Sequence, residues 1–172
     1  CSWYEGRKMR HAISVLVDNE AGVLSRVVGL FSGRGFNIES LSVAPTMDPT
    51  KSKIVITTTG NDAVLEQIKK QLNKLINVIK VVDCTDKDYV EREMVIVKVR
   101  AEAETRAEVL RIADIFRAKV IDVSPASYTL SLTGDVRKLE GFIEILSPLG
   151  ILDFIRTGTV VMEREMQGRR KL

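Results

Sequence analysis

The sequence is poor in the residues that build metal sites and disulfide frameworks. Two cysteines, Cys1 and Cys84, and one histidine, His11, occur in 172 residues. Two cysteines are too few for a disulfide-stapled secreted domain or for a cysteine-rich zinc site. Cys84 ends an apolar run, so we predict a buried, reduced thiol there. These shortages argue against a metal centre and leave hydrophobic packing to stabilise the fold.

Long hydrophobic runs and a strong excess of one charge are also missing. No apolar run approaches the roughly 20 residues that cross a bilayer, and residues 1–8 have no apolar core of a signal peptide. The formal net charge is +3, which is too small to predict a nucleic-acid partner. The apolar fraction of 45% is ordinary for a globular protein. We therefore predict a cytosolic protein that binds neither membranes nor nucleic acid.

The most informative stretch is a strand, a polar turn and a helix between residues 11 and 37. Apolar residues alternate from Ile13 to Val17, as in a half-buried strand. After the polar segment Asp18–Gly22 the apolar residues return at helical spacing, and the helix is predicted to end at Gly33. The amides at a helix start attract negative charge, and a glycine without a Cβ lets a ligand approach the backbone closely. This turn is therefore predicted to be able to bind an anion.

The chain divides into two halves with the same order of elements. In the first half we predict strand 11–18, helix 22–33, strands 36–44 and 53–59, a helix containing residues 65–75, and strand 78–84. In the second half we predict strand 94–99, helix 103–118, strands 120–123 and 128–132, a helix containing residues 139–146, and strand 151–161. Each half has the order βαββαβ, the ferredoxin-like split motif. The predicted fold class is α+β, with two ferredoxin-like domains in tandem.

The sequence offers no recognisable set of catalytic residues. Ser25 and Ser32, on the first helix, have no evident histidine to activate them. Three glycines between residues 29 and 35 have a spacing like that of a dinucleotide fingerprint, but they lie within and after a helix. The fingerprint belongs between a strand and the start of a helix. We therefore predict a binding protein that is not an enzyme.

Specific motifs run through both halves of the chain. They are Asn19–Arg26, Phe31–Leu41, Gln71–Leu75, Val90–Glu93, Ile115–Lys119, Ile121–Val123 and Arg156–Gly158. By these motifs the chain from Met9 to Glu165 closely resembles the regulatory (small) subunits of acetolactate synthase. The first half also resembles an ACT domain, a small βαββαβ module that senses amino acids. Residues 1–8 and 168–172 lie outside the resemblance.

The resemblance implies a regulatory role in the biosynthesis of valine, leucine and isoleucine. Such a subunit is noncatalytic; it activates the catalytic large subunit of acetolactate synthase and confers feedback inhibition by valine. The resemblance implies no cofactor in this chain, with thiamine diphosphate, Mg and FAD held by the catalytic partner. It also implies a homodimer or a higher oligomer. Edge-to-edge pairing of two ACT sheets would cover an exposed sheet edge.

The resemblance further implies an effector site shared between two subunits, with the turn of one facing the second strand of the other. The residues implied are Asn19, Glu20, Ala21, Gly22, Val23, Leu24, Asn37 and Ile38. Their chemistry fits a free amino acid. The backbone at Gly22 suits the carboxylate, and the side chains of Asn19 and Asn37 suit either charged group. The apolar members would form a wall for a branched side chain.

Simpler interpretations exist for the residues and for the whole chain. Gly22 could merely open a tight turn, Asn19 could cap the helix, and Asn37 could be a left-handed loop residue. The chain could be an amino-acid-responsive ACT-type transcriptional regulator or a structural dimerisation module. The regulator would need a DNA-reading motif and strong salt dependence. The module would not need asparagine at both positions.

The predicted organisation of the chain has five parts. They are an N-terminal extension (1–10), an effector-binding ACT domain (11–84), a charged connector (85–92), a C-terminal ferredoxin-like regulatory domain (93–165) and a basic tail (166–172). Met9 could be the native start, which favours the bacterial cytosol. An organellar protein without its transit peptide would look similar.

Overall fold

The computed structural model describes residues 9–34, 36–85 and 88–165. The chain forms two compact units. One comprises the residues up to Val90 together with those from Val161 onward, and the other comprises Glu91–Val160. Most of the predicted N-terminal extension and all of the predicted basic tail lie outside the described residues.

The first unit consists of an antiparallel sheet and two helices. Its elements are β1 (Met9–Asp18), α1 (Val23–Ser32), β2 (Asn37–Pro45), β3 (Lys51–Gly60), α2 (Asp62–Leu72) and β4 (Val78–Asp83). The strand order is β2-β3-β1-β4. The alternating apolar residues of β1 and β3 pack against the buried faces of both helices in one core. The helices therefore cover the same face of the sheet, as a βαββαβ motif requires.

Two local details shape this unit. The Asn61 side chain caps α2 by accepting a hydrogen bond of 2.8 Å from the Ala63 N–H. The register of β2 against β3 shifts between Ile38 and Ser40.

The second unit repeats the arrangement. Its elements are β5 (Tyr89–Arg100), α3 (Arg106–Phe116), β6 (Lys119–Val123), β7 (Ser127–Gly134), α4 (Val136–Leu146), a 3-10 turn (Ser147–Leu149) and β8 (Ile151–Arg156). A last strand, β9 (Val160–Glu163), follows, and its residues from Val161 belong to the first unit. The strand order is β6-β7-β5-β8, and β9 pairs with β5. Inward residues of β5 and β7 pack with the apolar faces of both helices. The predicted α+β fold with two ferredoxin-like domains in tandem is confirmed.

The chain differs from the sequence prediction at both ends of the second half. β5 begins at Tyr89, inside the stretch predicted as the connector 85–92. The predicted strand 151–161 is two strands, which separate where Gly158 adopts a left-handed φ of 83°. The Arg164 N–H then donates to the Asp88 carbonyl at 2.9 Å. Residues from Val161 group in space with the first unit.

Candidate functional site

The turn between β1 and α1 has a backbone prepared for an anion. Gly22 precedes the helix with a left-handed φ of 84°. Its chain neighbours aside, no described residue has an atom within 4 Å of the place where a Cβ would stand. The first turn of α1 contains no acidic residue, and no side chain caps it. Among the described residues, no hydrogen bond engages the amides of Leu24 and Ser25. The positive end of the helix dipole therefore faces open space.

The hairpin between β2 and β3 holds one side of this turn. The Asn19 N–H donates to the Thr50 carbonyl at 2.8 Å, and Asn19 Nδ2 donates to the Pro49 carbonyl at 3.0 Å. Asn19 therefore does not cap α1, and its side-chain oxygen remains available to a ligand. The hairpin is itself ordered, because the Thr50 hydroxyl and N–H both donate to Asp48. Those two bonds lower the pKa of the Asp48 carboxyl group.

Asn77, at the start of β4, holds the other side of the turn. Its carbonyl accepts from the Asp18 N–H at 2.9 Å. Its side-chain oxygen accepts from Arg26 Nη1 at 3.0 Å, and its Nδ2 donates to Glu20 Oε2 at 3.1 Å. Asn77 thus joins the end of β1, the turn and the helix. Sequence reasoning missed it, since a single asparagine ahead of a strand carries no distinctive signal.

The apolar residues of the predicted site differ in their exposure. Val23 is 3% exposed and belongs to the core of the first unit. Leu24 is 37% exposed at the start of α1. Ile38 is partly buried against the core. Ala21 lies on the surface.

Asn37 lies at the opposite end of the sheet from the turn. It opens β2 opposite Thr59, and its carbonyl accepts from Thr58 Oγ1 at 2.6 Å. Asn19, by contrast, bonds to Thr50. Nine residues of nearly extended chain separate Thr50 from Thr59, a span of roughly 30 Å. One chain therefore does not bring Asn37 to the turn, and as part of a strand Asn37 is not a left-handed loop residue.

Comparison with known proteins decides the family. Residues 13–80 match the family described as AHAS small subunit-like ACT domain, and residues 92–165 match the family described as small subunit of acetolactate synthase. The acetolactate synthase small subunit of Haemophilus influenzae is 50% identical over 157 residues, covering 91% of this chain and 96% of that protein. The chain belongs to the acetolactate synthase small-subunit family.

Two further relatives of this small subunit agree with the assignment. The acetolactate synthase isozyme 3 small subunit of Escherichia coli is 48% identical over 157 residues, covering 91% of this chain and 96% of that protein. The crystal structure of the small subunit from Thermotoga maritima superposes with a TM-score of 0.82 at 40% identity, covering 91% of this chain and 98% of that one. A small subunit implies a catalytic large subunit as its partner.

Neither a metal cluster nor a membrane helix is found in the part of the small subunit that the structure describes. Within residues 9–34, 36–85 and 88–165, no three His, Cys, Asp or Glu side chains are grouped as a metal ion would require. No helix in the same ranges is long and apolar enough to cross a membrane.

Proposed function

We propose that this small subunit is a noncatalytic regulator, which activates the catalytic subunit of acetolactate synthase and makes it sensitive to valine. The observation that carries the proposal is the turn ahead of α1, with its left-handed Gly22 and uncommitted helix amides. A carboxylate is the natural ligand of such a helix start. A regulatory subunit with this turn can bind the product amino acid without any catalytic group of its own.

The turn offers a complementary group for each part of valine. The carboxylate would accept hydrogen bonds from the free amides of Leu24 and Ser25. The ammonium group would donate to side-chain amide oxygens, one from Asn19 and one from Asn37. The isopropyl group would contact Leu24 and Ile38, which are partly exposed. Glu20 is held by Asn77 and would keep the turn in place.

The position of β2 at the edge of its sheet supports a valine site shared between two chains. β2 is an edge strand of its sheet, and an unpaired edge is a template for another strand. Two-fold pairing of two β2 edges is antiparallel, so Asn37 of one chain lies near the Pro45 end of its mate. Pro45 is paired with Ser52, next to the turn that follows Asp18. A dimer of this kind brings Asn37 and Ile38 to the turn that their own chain cannot supply.

Valine would then regulate by shifting a population of dimers. A ligand that bridges two chains stabilises the arrangement in which both halves of its site meet. Valine can shift the equilibrium between the two arrangements only by as much as its binding free energies for them differ, and this shift limits its effect on the catalytic subunit. We infer that thiamine diphosphate, Mg and FAD belong to the catalytic partner. We also infer a cytoplasmic setting, which the bacterial relatives and the free, buried Cys84 support.

The proposal is tested with the full chain and a purified catalytic subunit. Titration calorimetry with valine, leucine and isoleucine should show saturable binding of valine. Addition of the small subunit should raise the rate of acetolactate formation, and valine should lower that rate again. A chain that binds no branched-chain amino acid, alone or in the complex, would exclude the effector role. A chain that leaves the catalytic rate unchanged would exclude activation.

A further inference from the structure

A cavity of the first unit lies on the face of the sheet that is turned away from the helices. Its volume is about 260 Å³. Ser14 and Leu16 of β1 line it, and they alternate with the residues of β1 that enter the core. Tyr89 and Val161, from the start of β5 and from β9, also line it. None of the residues predicted for the effector site lines this cavity.

Two lysines line this cavity, one from each of the strands that neighbour β1. Leu16 is paired with Lys53 on β3 and with Lys80 on β4, so the two lysines flank it on the same face. Paired residues on neighbouring strands have Cβ atoms about 5 Å apart, which places the two lysine Cβ atoms about 10 Å apart. Neither lysine makes an ion pair with another described residue. Both lysines would attract an anion placed between them, and Glu163, which also lines the cavity, would oppose it.

The cavity also contains one buried hydroxyl group without a hydrogen-bond partner among the described residues. The Tyr89 hydroxyl is buried and makes no hydrogen bond to any described residue. Burial, helped by the neighbouring Cys84 thiol, raises the pKa of Tyr89 to about 12, so the hydroxyl remains a donor at physiological pH. Burial also raises the pKa of Cys84, and the neutral thiol leaves the charge of the lysines intact. Ser14, which is 6% exposed, supplies a second hydroxyl.

We propose that this cavity is a second small-molecule site of the regulatory subunit, and that it binds a carboxylate with a short aliphatic body. The carboxylate would lie between Lys53 and Lys80 and accept a hydrogen bond from Tyr89. The aliphatic body would contact Leu16 and Val161. The cavity volume of about 260 Å³ lies just below the roughly 300–1,000 Å³ of pockets for drug-sized ligands, which suits a small carboxylate. Glu163 also lines the cavity. Its negative charge repels a simple carboxylate and attracts the ammonium group of an amino acid, so it distinguishes the two ligands.

The test uses isobutyrate, a branched carboxylate without an ammonium group, and the full chain. Isobutyrate should bind saturably, with amide shifts in the NMR spectrum at Ser14, Leu16 and Val82. The double variant Lys53→Gln/Lys80→Gln should weaken binding about ten-fold or more, and Tyr89→Phe about three-fold, because charge-assisted bonds exceed neutral ones. Lys70→Gln, at an exposed lysine of α2, is the matched control and should leave binding unchanged.

Removal of the charge at Glu163 distinguishes a simple carboxylate from an amino acid as the ligand of the cavity. For a simple carboxylate, Glu163→Gln removes a repulsive charge and tightens isobutyrate binding. For an amino acid, valine binds in the cavity of a Gly22→Asp chain more tightly than isobutyrate does, and Glu163→Gln weakens it. Either result supports the site, independently of the effector turn. The proposal is overturned if folded wild-type chain binds neither probe at the cavity, or if the double lysine variant binds as wild type does.

Discussion

The turns after the first strand of each unit are held by the same backbone bonds but carry different chemistry. In the first unit, the Asp18 N–H donates to the Asn77 carbonyl at 2.9 Å. The next N–H, that of Asn19, donates to the Thr50 carbonyl at 2.8 Å. The turn is thus fixed by the loop before the last strand of the motif and by the hairpin in its middle.

The second unit repeats both bonds at equivalent places. The Arg100 N–H donates to the Gly150 carbonyl at 2.8 Å, and the Ala101 N–H donates to the Ala126 carbonyl at 2.9 Å. The equivalents of the two asparagines are therefore an alanine and a glycine, without side-chain amides. Residues 101–105 contain no glycine and include two glutamates, and a third glutamate stands in the first turn of α3. Negative charge already occupies the positive end of this helix.

The comparison shows that the fold supplies a position and the turn residues supply the chemistry. Both units present a helix start at the end of a central strand, as the ferredoxin-like motif dictates. The first keeps that helix start free of acidic groups and opens it with a glycine. The variants below break or sharpen this difference.

The substitution Gly22→Asp should have the largest effect. A carboxylate on this residue would lie near the ligand carboxylate and satisfy the helix dipole itself. We expect the valine concentration for half-inhibition to rise about 100-fold or more, with activation of the catalytic subunit largely retained. The readout is the rate of acetolactate formation as a function of valine concentration.

Gly22→Asn is the matched control for charge. Asparagine has nearly the same shape as aspartate and also tolerates the left-handed conformation, but it carries no charge. Its valine response should lie much closer to that of the wild type. Full valine sensitivity in Gly22→Asp would remove the turn from the effector site.

The substitution Arg156→Met should lower the stability of the second unit and leave the affinity for valine unchanged. Glu93 is 4% exposed, and Arg156 donates to its two carboxylate oxygens at 2.8 and 3.0 Å. Loss of these charge-assisted bonds should cost about 2 kcal/mol of unfolding free energy. Urea unfolding measures this cost.

The exposed pair of Arg111 and Glu108 provides the control for this stability effect. Arg111→Met should cost less than about 1 kcal/mol, because exposed ion pairs contribute little. Equal costs for the two arginine variants would show that the Glu93 pair has no special role. A loss of valine binding in Arg156→Met would contradict the assignment of effector binding to the first unit alone.

The substitution Asn77→Ala makes the first turn more like the second. It removes the side-chain bonds to Asp18, Glu20 and Arg26 and leaves the backbone bond from the Asp18 N–H. We expect valine affinity to fall about ten-fold, or about 1.4 kcal/mol, because the turn is less ordered before binding. Calorimetry of the full chain gives the affinity. Asn73→Ala, in the same loop region but bonded to Lys69, should bind valine as wild type does.

Acid should weaken the first unit through Asp83, the smallest of these effects. Burial alone would raise the pKa of Asp83, but hydrogen bonds from Thr85 and Lys69 outweigh it and lower that pKa below 3.8. A carboxyl group with a depressed pKa stabilises the folded state above its unfolded-state pKa, and this stabilisation is lost as pH falls through the folded-state pKa. Urea unfolding of Asp83→Asn should therefore show a flatter loss of stability below about pH 4. If the stability of Asp83→Asn falls with pH as steeply as that of the wild type, groups other than Asp83 cause the acid sensitivity.

Short-range sequence patterns were sufficient to predict most elements of the fold. Alternation from Ile13 to Val17 marks a strand with one buried face, and the cap at Asn61 marks the start of α2. The glycine at the predicted turn does adopt the left-handed conformation. Such signals depend on neighbours in sequence, so a single chain contains them in full.

Features that depend on distant residues were not predictable in the same way. Asn77 reaches Asp18 across 59 residues, and β9 is a separate strand because it pairs with β5. Val23 is buried because it packs with core residues from distant parts of the chain, which periodicity alone does not fix. A contribution of Asn37 to the same site requires a second chain.

Mixing two inactive variants tests the central claim, a valine site shared between two chains, most directly. Gly22→Asp should abolish binding at the effector turn, and Asn37→His should weaken it there through lost hydrogen bonds and added bulk. In a mixed dimer one site carries both defects and the other carries neither. Random mixing of the two chains should restore about a quarter of the valine sites with wild-type affinity, as two-fold symmetry requires. If mixing restores no wild-type site, the turn and Asn37 do not meet across a dimer interface.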